Sequence, residues 1–266
     1  MARSALMNVM VQAVMKAGRG LARDFGEVQH LQVSVKGPGD FVSQADLRAE
    51  EVLRAELERA RPDYGFLLEE GGSVEGRDPQ HRWIIDPLDG TTNFLHGFPH
   101  FAVSLALERQ GQLVAGVIFN PATDELYTAE KGAGAFLNDR RLRVAARRKL
   151  TDCVVGCGVP HLGRGDHGRF LVQLRHVMSE AVGIRRTGAA ALDLAYVAAG
   201  RLDGFWEESL SPWDMAAGII LIREAGGFIT DASGGTDMFG RGDIVAGNEA
   251  IQKALLSTIN RPLTNR

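Results

Sequence analysis

The sequence predicts an α+β layered fold whose two halves share one cleft. Three observations carry the prediction. A helical apolar pattern opens the chain, a series of short β-type runs fills its middle, and helices alternate with short strands in its second half. At 266 residues, 45% apolar and 24% charged, the chain has the make-up of a globular domain with a sizeable core. We expect one domain over 1–266, with halves of about 1–150 and 151–266 around the cleft.

The elements follow in order. Leu6, Met10, Ala13, Ala17 and Leu21 recur at helical spacing and predict a packed amphipathic first helix. The same segment carries Arg3, Lys16, Arg19 and Arg23 ahead of its first acidic residue, Asp24, a faint likeness to a transit peptide that the periodicity outweighs. "VSVKGPGDFVSQAD" (Val33 to Asp46) is broken by Gly37, Pro38 and Gly39 and reads as a loop or mobile hairpin. Leu47 to Arg59, with Val52, Leu53 and Leu57 among charges, reads as a helix that stops before Pro62. The runs "FLL", "RWII", "FAVSLAL" and "LVAGVIF" then read as strands, with turns at Asn120-Pro121 and Asn138-Asp139, and "RWII" is expected to end at Asp86. Helices are expected near Phe170 to Ser179, Ala189 to Ala199 and Pro212 to Ala225.

Several function classes are disfavoured. A formal net charge of −3 gives no general attraction to nucleic acid or anionic membrane, and the apolar stretches are too short to span a bilayer. Cys153 and Cys157 have neither zinc-site nor C-x-x-C spacing and read as buried thiols in a reducing cytosol. Arg-Gly-Asp occurs at Arg164 to Asp166 and at Arg241 to Asp243, and both read as glycine loops. The basic run "RRLRVAARRK" (Arg140 to Lys149) lacks interleaved aromatics and reads as a solvated strand and loop.

Chemistry concentrates in carboxylates. In "IIDPLDGTTNF" (Ile84 to Phe94), Asp86 and Asp89 flank a stiff Pro-Leu pair and precede Gly90, Thr91 and Thr92. Two close carboxylates must share a proton or hold a cation, and an all-oxygen set favours Mg²⁺. An acidic β-turn remains the alternative. In "SPWD" (Ser211 to Asp214), Asp214 fits both a capping-box role and a cation ligand at a helix mouth. In "LLEEGG" (Leu67 to Gly72), Glu69 or Glu70 offers a further oxygen.

These segments resemble the inositol monophosphatase family. "WIIDPLDGTTNF" (Trp83 to Phe94) and "WDMAAGIILIREAGG" (Trp213 to Gly227) are similar to its two signatures. The Glu69-Glu70 pair and "RRTGAAALDLAYVAAGRLDGFWE" (Arg185 to Glu207) fit the same pattern, and the bacterial, SuhB-like branch is the most similar. The resemblance implies a layered αβαβα sandwich of the inositol monophosphatase/fructose-1,6-bisphosphatase type. It implies a cytoplasmic, homodimeric, lithium-sensitive phosphomonoesterase with two or three Mg²⁺ ions. By motif position, Glu69, Asp86, the Leu88 carbonyl, Asp89 and Asp214 match metal ligands, and Gly90 and Thr91 match the phosphate-contacting turn. Asp46 and Thr91, with Glu69, match the catalytic groups around the attacking water. Gly188, Ala190 and Glu207 match residues that hold substrate hydroxyls, and Lys36 and Asp40 lie in the matching mobile loop near a third metal position. Glu208 and the Gly158 to Asp166 segment depart from the pattern. The implied substrate is a polyol phosphate, inositol 1-phosphate first, with fructose 1,6-bisphosphate or histidinol phosphate as rivals. A SuhB-like regulatory factor binding the transcription machinery is the alternative of another class.

Overall fold

A computed structural model describes the backbone of residues 3–27, 33–37, 40–161 and 163–262, and the side chains of all these except 33–37 and 40–42. The chain opens with α1 (Ala5–Gly26), the antiparallel pair β1 (Val33–Gly37) and β2 (Asp40–Ser43), and α2 (Gln44–Ala60). The first large sheet uses β3 (Tyr64–Leu68), β4 (Gly72–Val74), β5 (Asp78–Asp89), β6 (Ala102–Arg109), β7 (Gln112–Asn120), β8 (Glu125–Glu130), β9 (Gly134–Leu137) and β10 (Arg140–Arg141). Its order is β10-β9-β8-β7-β6-β5-β3-β4, with the short α3 (Thr91–Leu95) following β5.

The second sheet uses β11 (Val154–Cys157), β12 (Gly183–Arg185), β13 (Gly204–Glu208), β14 (Phe228–Thr230) and β15 (Asp243–Gly247), in the order β12-β11-β13-β15-β14. Its helices are α4 (His167–Met178), α5 (Ala190–Ala198), α6 (Pro212–Glu224), α7 (Met238–Arg241) and α8 (Glu249–Ile259). Helices α1 and α2 cover one face of the large sheet, α5 and α6 lie between the sheets, and α4 and α8 cover the far face of the second. That is the αβαβα sandwich expected from the resemblance.

Burial on both faces explains the near-continuous apolar strands of the large sheet. Along β5, Trp83 and Ile85 enter the core under α1 and α2, while Ile84 enters the core shared with α5 and α6. Helix α6 is buried all round from Met215 to Ile222 because it is pressed between two sheets. Helix α1 buries Met10, Val14, Ala17 and Leu21, so the basic N-terminal segment is a packed helix, started by a 3.0 Å bond from the Met7 N–H to Ser4 Oγ. Among the described residues, no helix is long and apolar enough to cross a membrane.

Local expectations hold at several turns. Asn138 and Asp139 both take positive φ, 46° and 65°, the geometry of a tight hairpin between β9 and β10. The basic run from Arg140 is largely solvated, with Arg147 paired to Asp203 at 2.9 Å. Both Arg-Gly-Asp segments are glycine loops, with Gly165 and Gly242 at φ 73° and 68°. Cys153 and Cys157 are free, buried thiols.

One expectation is corrected. The strand through "RWII" does not end at Asp86 but runs through Pro87 to Asp89. Asp86 faces Ser104 and Asp89 faces Ala102, so three steps on β5 oppose two on β6. This bulge absorbs Pro87, whose missing N–H forbids a regular ladder there.

Candidate active site

The site begins at the end of two parallel strands. Strands β3 and β5 pair with Leu68 opposite Ile85, so Glu69 and Asp86 come next, side by side at the same sheet edge. The Glu69 N–H donates to the Ile85 carbonyl at 3.2 Å, and the two carboxyls are joined by a side-chain hydrogen bond. Asp86 is 2% exposed, and burial, Glu69, Asp89 and Asp214 together push its pKa well above the carboxylate range. It also accepts the Leu88 N–H at 2.9 Å, which fixes the bulge.

Asp89 lies beyond the bulge and reaches the other half of the chain. Its Oδ2 accepts the Ala191 N–H at 2.8 Å, at the first turn of α5. The helix's own N-cap, Ala189, has no side chain able to do this, so Asp89 caps α5 from 102 residues away. Burial and then Asp214 raise its pKa well above the usual value. Asp214 sits at the third position of α6, behind Pro212, and accepts the Ser211 N–H at 2.7 Å. Strand β6 sets its depth, since Ser104, opposite Asp86, donates to the Trp213 carbonyl at 3.2 Å.

The turn after Asp89 completes this side. Gly90 has φ 89°, and a side chain there would press on the His100 carbonyl at 3.0 Å. Thr91 Oγ1 stands 3.1 Å from both Asp46 Oδ1 and the Leu88 carbonyl, and its single proton serves one of them at a time. Asp46 does not line the cavity wall directly. It is held behind Thr91 at the start of α2, where Ser43 donates to Asp46 Oδ2 from its N–H at 2.9 Å and its hydroxyl at 2.5 Å. Burial raises the Asp46 pKa.

The second sheet supplies the opposite wall. Strands β11 and β13 run parallel with Cys157 opposite Trp206, which sets Glu207 against Gly158. A Cβ on Gly158 would lie 1.8 Å from Glu207 Cδ, so glycine is required for the carboxylate to rest there. Burial, Asp193 and Asp214 push Glu207 up to about 8, against the pull of Arg186 and Arg164. Together these elements enclose a cavity of about 370 Å³ that contains Glu69, Asp86, Leu88, Asp89, Gly90 and Thr91 on one side, and Gly188, Ala190, Glu207 and Asp214 on the other. Lys36 and Asp40 lie on β1 and β2, and their side chains are outside the described residues.

Residues 2–264 match the profile of the inositol monophosphatase family. The chain belongs to that family. It is 72% identical over 266 residues to an inositol-1-monophosphatase of Mesorhizobium japonicum, covering all of both chains. It is 42% identical over 260 residues to Nus factor SuhB of Escherichia coli K12, covering 98% of this chain and 97% of that protein. A crystal structure of the extragenic suppressor protein suhB from Bartonella henselae superposes with a TM-score of 0.96 at 63% identity, over 98% of this chain and 100% of that one.

The inositol monophosphatase family is one of metal-dependent phosphatases, and the donor set here suits a hard cation. Among the described residues, no three carboxylate, imidazole or thiol side chains already form a closed metal cage. The carboxylates are nonetheless close enough to raise one another's pKa, because their charges repel. A divalent ion relieves that repulsion, drawing the oxygens inward.

Sequence reasoning assigned no role to four ionisable side chains of this cavity. His161 and Arg164 come from the loop after β11, and Arg186 and Asp193 flank the start of α5. Arg164 sits inside one of the Arg-Gly-Asp loops, and no local signal marks it. Asp193 had a signal, being the one charged residue of the apolar α5. It is 1% exposed, one of its oxygens has no hydrogen-bond partner among the described residues, and burial pushes its pKa to about 7. Glu208 turns away from the cavity, accepting from Arg169 at 2.9 Å and Gln173 at 2.8 Å on α4.

Proposed function

We propose that the cleft hydrolyses a phosphate monoester of a polyol, inositol 1-phosphate first, by direct attack of water. One observation carries the reading: a cluster of mutually repelling carboxylates shares a cavity with the Gly90–Thr91 turn. Glu69, Asp86, the Leu88 carbonyl, Asp89 and Asp214 would hold a pair of Mg²⁺ ions. Bound there, the ions acidify a water and offset phosphate charge. Leu88 anchors its carbonyl by burying its side chain in the core under α1 and α2.

Asp46 and Thr91 orient the attacking water. The raised pKa of Asp46 suits a group that takes up a proton, and the Thr91 hydroxyl relays between it and the cleft. The main-chain N–H groups at Gly90 and Thr91 face the phosphate oxygens, and Gly188, Ala190 and Glu207 hold the polyol hydroxyls. A carboxylate accepts from two neighbouring hydroxyls at once, which makes Glu207 the selector. A third ion near Lys36 and Asp40, lithium sensitivity, a homodimer and a cytoplasmic location complete the reading by family resemblance.

The experiment is phosphate release from inositol 1-phosphate, fructose 1,6-bisphosphate and histidinol phosphate, each with Mg²⁺, with EDTA, and with Mg²⁺ plus lithium. Mg²⁺-dependent, lithium-sensitive turnover led by inositol 1-phosphate is expected, and no turnover on any ester defeats the proposal. The SuhB relatives favour a second reading, in which an outer surface binds the transcription machinery. It would leave the cleft residues unnecessary, and binding retained by Asp89→Asn protein would support it.

A further inference from the structure

Between α1 and α2, on the outer layer of the molecule, lies a groove of about 330 Å³, almost as large as the cleft. Lys16, Arg19 and Arg23 reach it from one face of α1, and Arg48 reaches it from α2. Lys16, Arg19 and Arg23 precede the first acid in the sequence, and the proposed catalysis uses none of the four. Asp24 is the one acid of this wall among the described residues, and it serves two arginines, Arg48 at 2.8 Å and Arg23 at 3.3 Å. Lys16 pairs with Glu56 at 2.6 Å, and Arg59 pairs with the same carboxylate. Arg19 has no ion pair among the described residues. The groove therefore keeps an excess of positive charge in a chain whose net charge is −3.

Its floor is small and apolar, with Ala17, Ala45 and Ala49 holding the helices close. Gly20 lies in the same wall, where a Cβ would meet nothing within 4 Å. Glycine inside a helix costs roughly 1 kcal/mol relative to alanine, and no close contact demands it here. What it provides is room.

We infer that the α1–α2 groove binds a small soluble anion bearing phosphate groups, at a site separate from the catalytic cleft. Guanidinium forks match phosphate oxygens, and the volume falls in the range of small-ligand pockets. Its recessed shape suits a free anion better than a flat bilayer surface. Arg48 stands two residues after Asp46 on α2, so an occupant that draws Arg48 from Asp24 bears on the helix holding Asp46 to Thr91.

The test is calorimetric titration with inorganic pyrophosphate in EDTA, which withholds the metal ions that would hold phosphate in the cleft. Saturable binding is expected in the wild type, weakened about tenfold or more in Arg19→Gln and in Gly20→Leu. Gly20→Leu fills the groove with a better helix former, so its Tm should not fall. Both variants should keep wild-type Mg²⁺-dependent phosphate release. No saturable binding by the wild type overturns the inference, and so does unchanged binding in both variants. Loss in Arg19→Gln alone places the anion on the open helix surface and also overturns it.

Discussion

Replacing Asp89 by asparagine separates charge from shape at the centre of the cleft. The side-chain oxygen that accepts the Ala191 N–H at 2.8 Å survives as an amide carbonyl, so α5 keeps its cap. What disappears is a charge that burial, Asp214, Glu207 and Asp193 all disfavour. The folded pKa of Asp89 lies well above its unfolded value near about 4. Above that unfolded value the folded state binds the extra proton, so this group's contribution to stability falls as pH rises toward the folded pKa. In EDTA at about pH 8, Asp89→Asn should therefore be the more stable protein. Relief of the buried charge opposes a loss of about 1 kcal/mol from the weakened cap bond, and the net change is a gain. For a chain of this size each kcal/mol is worth about 2–4 °C in Tm. Mg²⁺ should reverse the order, because an ion at a hundred times its Kd adds about 2.7 kcal/mol to the wild type and less to the variant. Turnover should fall by about three orders of magnitude, or roughly 4 kcal/mol of lost transition-state stabilisation. The assay is thermal unfolding from about pH 5 to 9 with EDTA and with Mg²⁺, beside phosphate release. A variant that melts below the wild type in EDTA throughout, or that turns over at the wild-type rate, refutes the reasoning.

The remaining predictions address the opposite wall and the thiols. Gly158→Ala places a methyl 1.8 Å from Glu207 Cδ and must displace that carboxylate. Steady-state kinetics should show KM for the polyol phosphate raised about tenfold with kcat within about twofold, and an unchanged KM would remove Glu207 from substrate reading. Glu207→Gln should change the ratio of rates among sugar phosphates, and an equal fall on every ester would argue against selection by Glu207. Because Glu207 is pushed up to about 8, its contribution to stability falls as pH rises from its ordinary range toward that value, and the variant's melting curve should lose this slope in EDTA. Burial pushes Cys153 up to about 11 and Cys157 up to about 12, so a disulfide reagent at neutral pH should label them only after unfolding. Rapid labelling of the native protein would contradict their placement.

Much of this protein is set by short-range pattern. The apolar spacing of α1, the Ser-Pro start of α6 and the Asn-Asp turn after β9 each act over a few residues, and each is legible without neighbours. The carboxylate pair around Pro87 was equally visible, because two aspartates and a glycine turn after an apolar run constrain their own surroundings. Its conformation was not. Whether Pro87 ends a strand or sits in a bulge depends on β6, and only pairing with Ser104 and Ala102 decides it. The same holds for α5, whose N-terminus carries no capping side chain because Asp89 supplies one across the cleft. Arg164, Arg186 and Asp193 belong to the site because parallel strands and a shared helix layer carry them there. The local sequence determined which groups can do chemistry. The tertiary structure decided which of them meet, since hydrogen-bonding and apolar preferences act between neighbours, whereas the repulsion of Asp214 on Asp86 and Asp89 exists only once α6 has packed against the sheet.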